Sequence, residues 1–341
     1  MYQLPDQSTA WKVAVIVPCY RVADSIAAVI AAMPPEVETI YCVDDACPDR
    51  SGDVVESQCT DPRVKLIRHT VNRGVGGAVK TGYLAAHKDG HDIAVKVDGD
   101  GQMDPALIGN FLRPIALGQC DYSKGNRFYR IEDVRQMPAL RLFGNSVLSF
   151  FSKLSSGYWQ LFDPTNGYTA LHLGVLDYLA LDKIADRYFF ETDMLFRLNV
   201  ARCVVLDVPM AAVYGQEQSS LKVSRILLPF LSGHLRNFCK RIFYNYFLRD
   251  FHIASLQLLA GPPLLITGTL VGAYFWWRSI ELGKVATAGT VMIPSLMMIV
   301  GMQLTLAALS FDMANLPSRA LHLSLPRSQP SPAALNHLKL G

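Results

Sequence analysis

Apolar residues fall into short runs through the first third of the chain and into two long runs near its end. Val13–Val17 is continuously apolar, as expected of a strand buried on both faces. Asp24 or Ser25 can cap the helix that follows, SIAAVIAAM, which stops at Pro34-Pro35. Glu38–Val43 and Val64–Arg68 read as the second and third strands, Gly74–Ala86 as a helix opened by glycines, and Ile93–Val97 as the fourth strand. Strands alternating with helices predict a mostly parallel α/β sheet. Ligands on such sheets gather beyond the carboxyl ends of the strands, so the loops after each strand carry the chemistry.

Those loops read VPCYR (17–21), VDDACPD (43–49), HTVNRGVGGA (69–78) and VDGDGQ (97–102). The third is neither a Walker A loop nor a dinucleotide fingerprint, because Val79 stands where each needs a glycine. The fourth sets Asp98 and Asp100 around Gly99. Taken alone it fits an acidic turn as well as a metal site.

The long apolar runs differ in scale. Ile253–Trp277 holds no charged residue and is long enough to cross a bilayer; Ala286–Phe311 is a second such run. Prolines 262, 263 and 294 can kink these helices without forbidding a span. Before them, Lys222–Arg249 carries six Lys/Arg and no acid. Arg236, Lys240 and Arg241 alternate there with Phe238, Ile242 and Phe243, so this segment is expected to lie on an anionic leaflet with its basic face on headgroups. Basic flanks favour the cytoplasmic side. The expected division is a cytoplasmic catalytic domain (1–220), an amphipathic juxtamembrane segment (221–250), two membrane helices (251–312) and a disordered tail (313–341).

Composition narrows the class. Half of the 341 residues are hydrophobic, and a net charge of +3 gives no reason to expect nucleic acid. Seven cysteines without C-x-x-C spacing argue against a zinc site and for a reducing compartment. The start, MYQLPDQSTAWK, lacks a signal-peptide pattern, so it is expected to stay in the cytoplasm.

The ordered set VIVPCY, VDDACPD, NRGVGGA, DGDGQMDP, KGNRF, DPTNGY, YFFETDM and YGQEQSSLK, over about residues 12–222, resembles family 2 glycosyltransferases of the GT-A fold. Within them it is most similar to the dolichyl-phosphate mannosyltransferase and bacterial polyprenyl-phosphate glycosyltransferase branch. The resemblance implies a membrane-bound inverting enzyme, in a bacterial inner membrane, that moves a hexose from a UDP- or GDP-linked sugar to polyprenyl phosphate. It allows a homo-oligomer formed through the hairpin. It also implies the roles of single residues. Pro18, Tyr20, Asp44, Asp45, Asn72, Gly74 and Asp98 would bind the nucleotide sugar. Asp98, Asp100 and Gln102 would hold Mg²⁺ or Mn²⁺. Arg127, Arg141 and Lys222 would grip the acceptor phosphate. Asp100, Arg127, Glu191 and Asp193 would act on the reaction itself. Glu191 and Asp193 are equally well accounted for as acids in a helix's first turn, and Asp163 as a turn former. Arg21-Val22, Cys47, Asn126 and Asn166 depart from the common pattern without removing a carboxylate. Two other readings stay open: transfer to another glycan or glycolipid acceptor, and a non-catalytic membrane scaffold.

Overall fold

The computed structural model describes residues 11–129, 139–211 and 223–325. They divide into two units, Met1–Phe238 with Pro317–Gly341, and Cys239–Leu316. The division falls inside a helix and not at 220.

The first unit is built on a seven-stranded sheet in the order β3-β2-β1-β4-β6-β5-β7. The strands are β1 (Val13–Cys19), β2 (Thr39–Asp44), β3 (Val64–Arg68), β4 (Ile93–Lys96), β5 (Tyr122–Asn126), β6 (Thr169–His172) and β7 (Val205–Pro209). β3, β2, β1 and β4 run parallel, as their apolar runs predict. β6 is antiparallel to both its neighbours, so the sheet is mixed. Its helices are α1 (Ile26–Ala31), α2 (Ser51–Gln58), α3 (Val75–Lys88), α4 (Ile108–Ala116), α5 (Ala139–Ser156), α6 (Phe190–Val200) and the first part of α7 (Val223–Phe243). Ser25 does not cap α1; its hydroxyl donates instead to Gly99 O at 2.6 Å and ties the β1 loop to the β4 loop.

Two helices of this unit are inside-out. On α5, Ser152, Ser155 and Ser156 are buried, while Phe143 and Phe150 are exposed. On α7, His234 and Asn237 face inward, bonded to Ser155 Oγ (2.8 Å) and Asp193 Oδ1 (2.9 Å), while Leu228, Leu231 and Leu235 face out. A helix in water shows the opposite pattern. Burial holds the His234 imidazole down at about 4. Below its ordinary value of 6.5 the unfolded chain takes a proton that the folded chain refuses until about pH 4. Stability therefore falls as pH drops through that window, by up to about 1.4 kcal/mol per pH unit. Thermal midpoints from pH 7 to pH 4 should fall more steeply in the wild type than in His234→Phe; equal slopes would remove His234 from the acid limb.

The chain rejoins this unit at its end. Leu321–Ser324 forms a 3-10 turn. Asp121, fully buried, accepts from Val204 N (2.8 Å), Leu321 N (2.9 Å), His322 N (2.8 Å) and the His322 ring (2.8 Å). Burial pushes the Asp121 carboxyl up, but these donors outweigh it and hold it below the usual carboxylate range. The His322 ring stacks on His172 with centroids 4.3 Å apart. This corrects the expectation of a disordered tail from 313: residues up to 325 are placed, and an internal aspartate requires them.

The second unit holds α8 (Ile253–Leu282) and α9 (Ala288–Ala314), both long and apolar enough to cross a membrane. Small residues let the pair close. A Cβ on Gly301 would lie 2.4 Å from Leu265 N, and one on Gly261 would lie 2.8 Å from Thr305 N. Arg241 is a second correction. It was expected on headgroups, but it is buried against Asp312 in the last turn of α9, at 2.5 and 3.0 Å. Tyr246 OH adds a bond to the same carboxylate at 2.6 Å.

Candidate active site

The predicted loops meet at the carboxyl edge of β1, β2 and β4. Tyr20 is 43% exposed, and the Arg21 guanidinium lies 5.6 Å from its ring centre. Arg21 N donates to Cys47 Sγ (3.0 Å) and Val22 N to Ser51 Oγ (3.1 Å), which joins the β1 and β2 loops. Pro18, at the end of β1, pairs with Val43 of β2.

Asp44, the last residue of β2, and Asp45 after it are both buried. Asp44 accepts from Cys47 N at 3.0 Å and lies 3.4 Å from Arg68 Nη1. Asp45 accepts from His69 Nδ1 (2.8 Å), Arg73 N (2.8 Å) and Gly74 N (2.7 Å). Its carboxylate therefore shapes the 72–74 loop, and Asn72 Nδ2 returns a bond to Asp45 O at 3.2 Å. Gly74, at φ +88°, and Gly76 serve close packing: Cβ atoms there would lie 2.6 Å from Asp186 O and 2.5 Å from Ala185 O. The glycines that resemble a phosphate loop thus make room for the 185–190 backbone. Asp45→Ala leaves two amides and an imidazole without their acceptor, at a cost of about 1–3 kcal/mol. The expected result is a lower thermal midpoint together with a smaller rise on adding UDP or GDP; unchanged values for both would refute this placement.

Asp98 and Asp100 follow β4. Asp98 is 31% exposed at its side chain and pairs with Lys96 Nζ at 2.7 Å. Asp100 Oδ1 accepts from Gln102 N at 3.0 Å. Gln102 lines a cavity of about 340 Å³ with Asp104, Leu107, Tyr129, Met210 and Ala211. Among the described residues no group of three or more His, Cys, Asp or Glu forms a cage for an ion. Two hard carboxylates on an open loop do fit a divalent cation that completes its shell with phosphate oxygen and water.

Beneath these loops lies a row of buried charge that sequence reasoning missed. Lys96 and Lys124 both pair with Thr169 of β6, so they lie in one row across three strands. Lys124 Nζ reaches the carbonyls of Asp163 and of Asn166, the latter at 2.9 Å. Burial pushes its ammonium down to about 8. Glu191, in the first turn of α6, lies within electrostatic reach of both lysines; burial pushes its carboxyl up, and Lys96 offsets part of the shift. The available signal was a lysine inside each of two strands, IAVK and YSKGN, where an unpaired charge is not tolerated.

Two expected residues are placed differently from the sequence reading. The Arg127 guanidinium, expected on a phosphate, forks onto Asp163 at 2.8 and 3.1 Å. Asp163 is buried, and that burial is outweighed by Arg127 and Lys124, which hold its carboxyl low. Asp193 is buried away from the edge and accepts from Ala185 N and Asn237 Nδ2, each at 2.9 Å, so it positions α6 against its neighbours. The Arg141 side chain and Lys222 lie outside the described residues.

Residues 14–179 match the family described as Glycosyl transferase family 2. The UDP-N-acetylglucosamine–dolichyl-phosphate N-acetylglucosaminyltransferase of Methanococcus voltae is 32% identical over 168 residues, which are 49% of this chain and 66% of that protein. The undecaprenyl-phosphate mannosyltransferase of Micrococcus luteus is 28% identical over 206 residues, 59% of this chain and 84% of the relative. Glucosyl-3-phosphoglycerate synthase from Mycobacterium tuberculosis, solved with phosphoglyceric acid, superposes with a TM-score of 0.51 at 18% identity, over 68% of this chain and 80% of that one. That likeness speaks for the fold. Residues 14–179 therefore carry a glycosyl transferase family 2 domain, set on a GT-A-like fold.

Proposed function

We propose that the protein moves a hexose from a nucleoside diphosphate sugar to a polyprenyl phosphate at the cytoplasmic surface of a membrane. The observation that carries this reading is the Asp98/Asp100 pair at the carboxyl end of β4, in a chain that also holds two apolar helices of spanning length. Relatives named for transfer to dolichyl and undecaprenyl phosphate support the acceptor. The outward leucines of α7 and phenylalanines of α5 support a bilayer as the surface they meet. The chain leaves the first unit before α8 and returns to it after α9, which agrees with an even number of crossings.

In the reaction an acceptor phosphate oxygen bonds to the anomeric carbon. The bond from that carbon to the β-phosphate oxygen breaks, and the nucleoside diphosphate leaves with the electron pair. Attack opposite the leaving group inverts the centre. When bound, a divalent cation supplies Lewis-acid stabilisation to the diphosphate. Asp98 and Asp100 would hold it. Tyr20 and the loops shaped by Asp44, Asp45, Asn72 and Gly74 would seat the nucleoside, and Glu191 would meet sugar hydroxyls from the cleft floor. The acceptor is already anionic, so it needs cations to seat it more than a base to deprotonate it. Arg141 and Lys222 are proposed for that task, because arginine and lysine are the residues that grip phosphate.

The test mixes full-length protein with labelled UDP- and GDP-sugars, Mg²⁺ or Mn²⁺ and undecaprenyl phosphate in detergent. A labelled lipid is expected. Label appearing only on a hydroxyl-bearing glycan or glycolipid would replace this reading with the other-acceptor one, and nucleotide binding without any transfer would favour a scaffold.

A further inference from the structure

Lys96 is the last residue of a buried central strand, and its side chain is 2% exposed. Its ammonium has two partners in the cleft, Asp98 Oδ1 at 2.7 Å and Gly167 O at 3.1 Å. The backbone around it is cut to fit. A Cβ on Gly167 would lie 2.4 Å from Lys96 Nζ and 3.0 Å from Asp98 Oδ2. The glycine of the DPTNGY segment thus keeps open the space in which the lysine meets the carboxylate. Asp98 is also one of the two carboxylates offered to the cation. One oxygen set therefore faces two suitors, a fixed ammonium and a mobile divalent ion.

We infer that Lys96 is a built-in competitor for the metal carboxylate, which makes the cation bind with the nucleotide and not before it. The inference rests on the proposed metal site. Without nucleotide, the ammonium neutralises Asp98, and a divalent ion meets a nearby positive charge and only part of its ligand set. A diphosphate brings its own negative charge and oxygen ligands, which tip the balance toward the ion. The absence of a three-residue cage among the described residues agrees with a site completed by substrate. Such coupling is reciprocal: whatever factor the nucleotide adds to metal affinity, the metal adds to nucleotide affinity. Lys96 is in this sense a positioning residue that sets the order of assembly.

The experiment measures Mn²⁺ affinity of the full-length protein in detergent, from the spin-resonance signal of the free ion, with and without UDP or GDP. Wild type should bind Mn²⁺ weakly alone and much more tightly with one of the nucleotides. Lys96→Met should bind Mn²⁺ alone roughly 10-fold more tightly than wild type, and the gain from nucleotide should shrink by the same factor. A variant that had merely lost structure would bind the ion less tightly, so a gain in affinity separates the two explanations. Lys96→Gln serves as a second route, since it also removes the ammonium while keeping a polar side chain; it should move affinity the same way. Mn²⁺ affinity without nucleotide that is unchanged or weaker in these variants overturns the inference. Wild type that retains no Mn²⁺ with either nucleotide overturns the metal site itself, which is a different failure.

Discussion

Asp100→Ala should lower sugar transfer by roughly 10³-fold, the scale on which single groups that stabilise developing charge act. The carboxylate sits on the loop after β4, half-open to solvent, with its Oδ1 accepting from Gln102 N. It is not part of the apolar core, so the variant should keep its thermal midpoint within a few degrees. It should also stay in the membrane fraction, because the apolar helices are untouched. The loss should appear in the transfer step more than in acceptor binding, since charge builds on the leaving diphosphate only as the glycosidic bond breaks. The readout is labelled lipid formed per unit time at saturating donor and acceptor. A variant that turns over at the wild-type rate removes Asp100 from the metal site.

The largest expected effect on stability lies in the second unit. Arg241→Ala leaves the Asp312 carboxylate buried with Tyr246 OH still bonded to it and its guanidinium gone. Removing one partner of a buried ion pair costs about 3–5 kcal/mol, because the other charge stays without compensation. Arg241→Met with Asp312→Leu removes both charges and keeps most of the volume, so it should recover most of that loss. Midpoints of thermal unfolding in lipid nanodiscs give the comparison. If the double variant melts as low as Arg241→Ala, the cost came from packing and not from the stranded charge.

The half of the sheet built on β1, β2 and β4 was legible from sequence, because burial on both faces leaves apolar runs with polar residues only at their ends. β5, β6 and β7 were not. YSKGN hides a buried lysine, TALH is four residues long, and VLDVP carries an aspartate. The DGD carboxylates were legible from their place after a strand. The buried charge pairs were not, because Lys96 is answered by Gly167 and Arg127 by Asp163, and neither pair has a fixed spacing. Arg241 was misplaced for the same reason: its partner lies 71 positions away, and a basic residue among aromatics looks like a headgroup contact until that partner is seen. Asp193 read as a reactive acid since residue type does not reveal that Asn237 and Ala185 already occupy it.

The bonds from Asp121 to Leu321 and His322 close contacts across 200 and 201 positions. During synthesis that aspartate is made long before its donors, and both apolar helices are translated in between. The sheet can form early, but the residue before β5, Asp121, keeps a buried carboxylate short of three of its partners until the chain beyond α9 has emerged. The finished catalytic unit thus records that the hairpin was completed. A chain stalled within the hairpin is left with Asp121 lacking the donors that Leu321 and His322 supply.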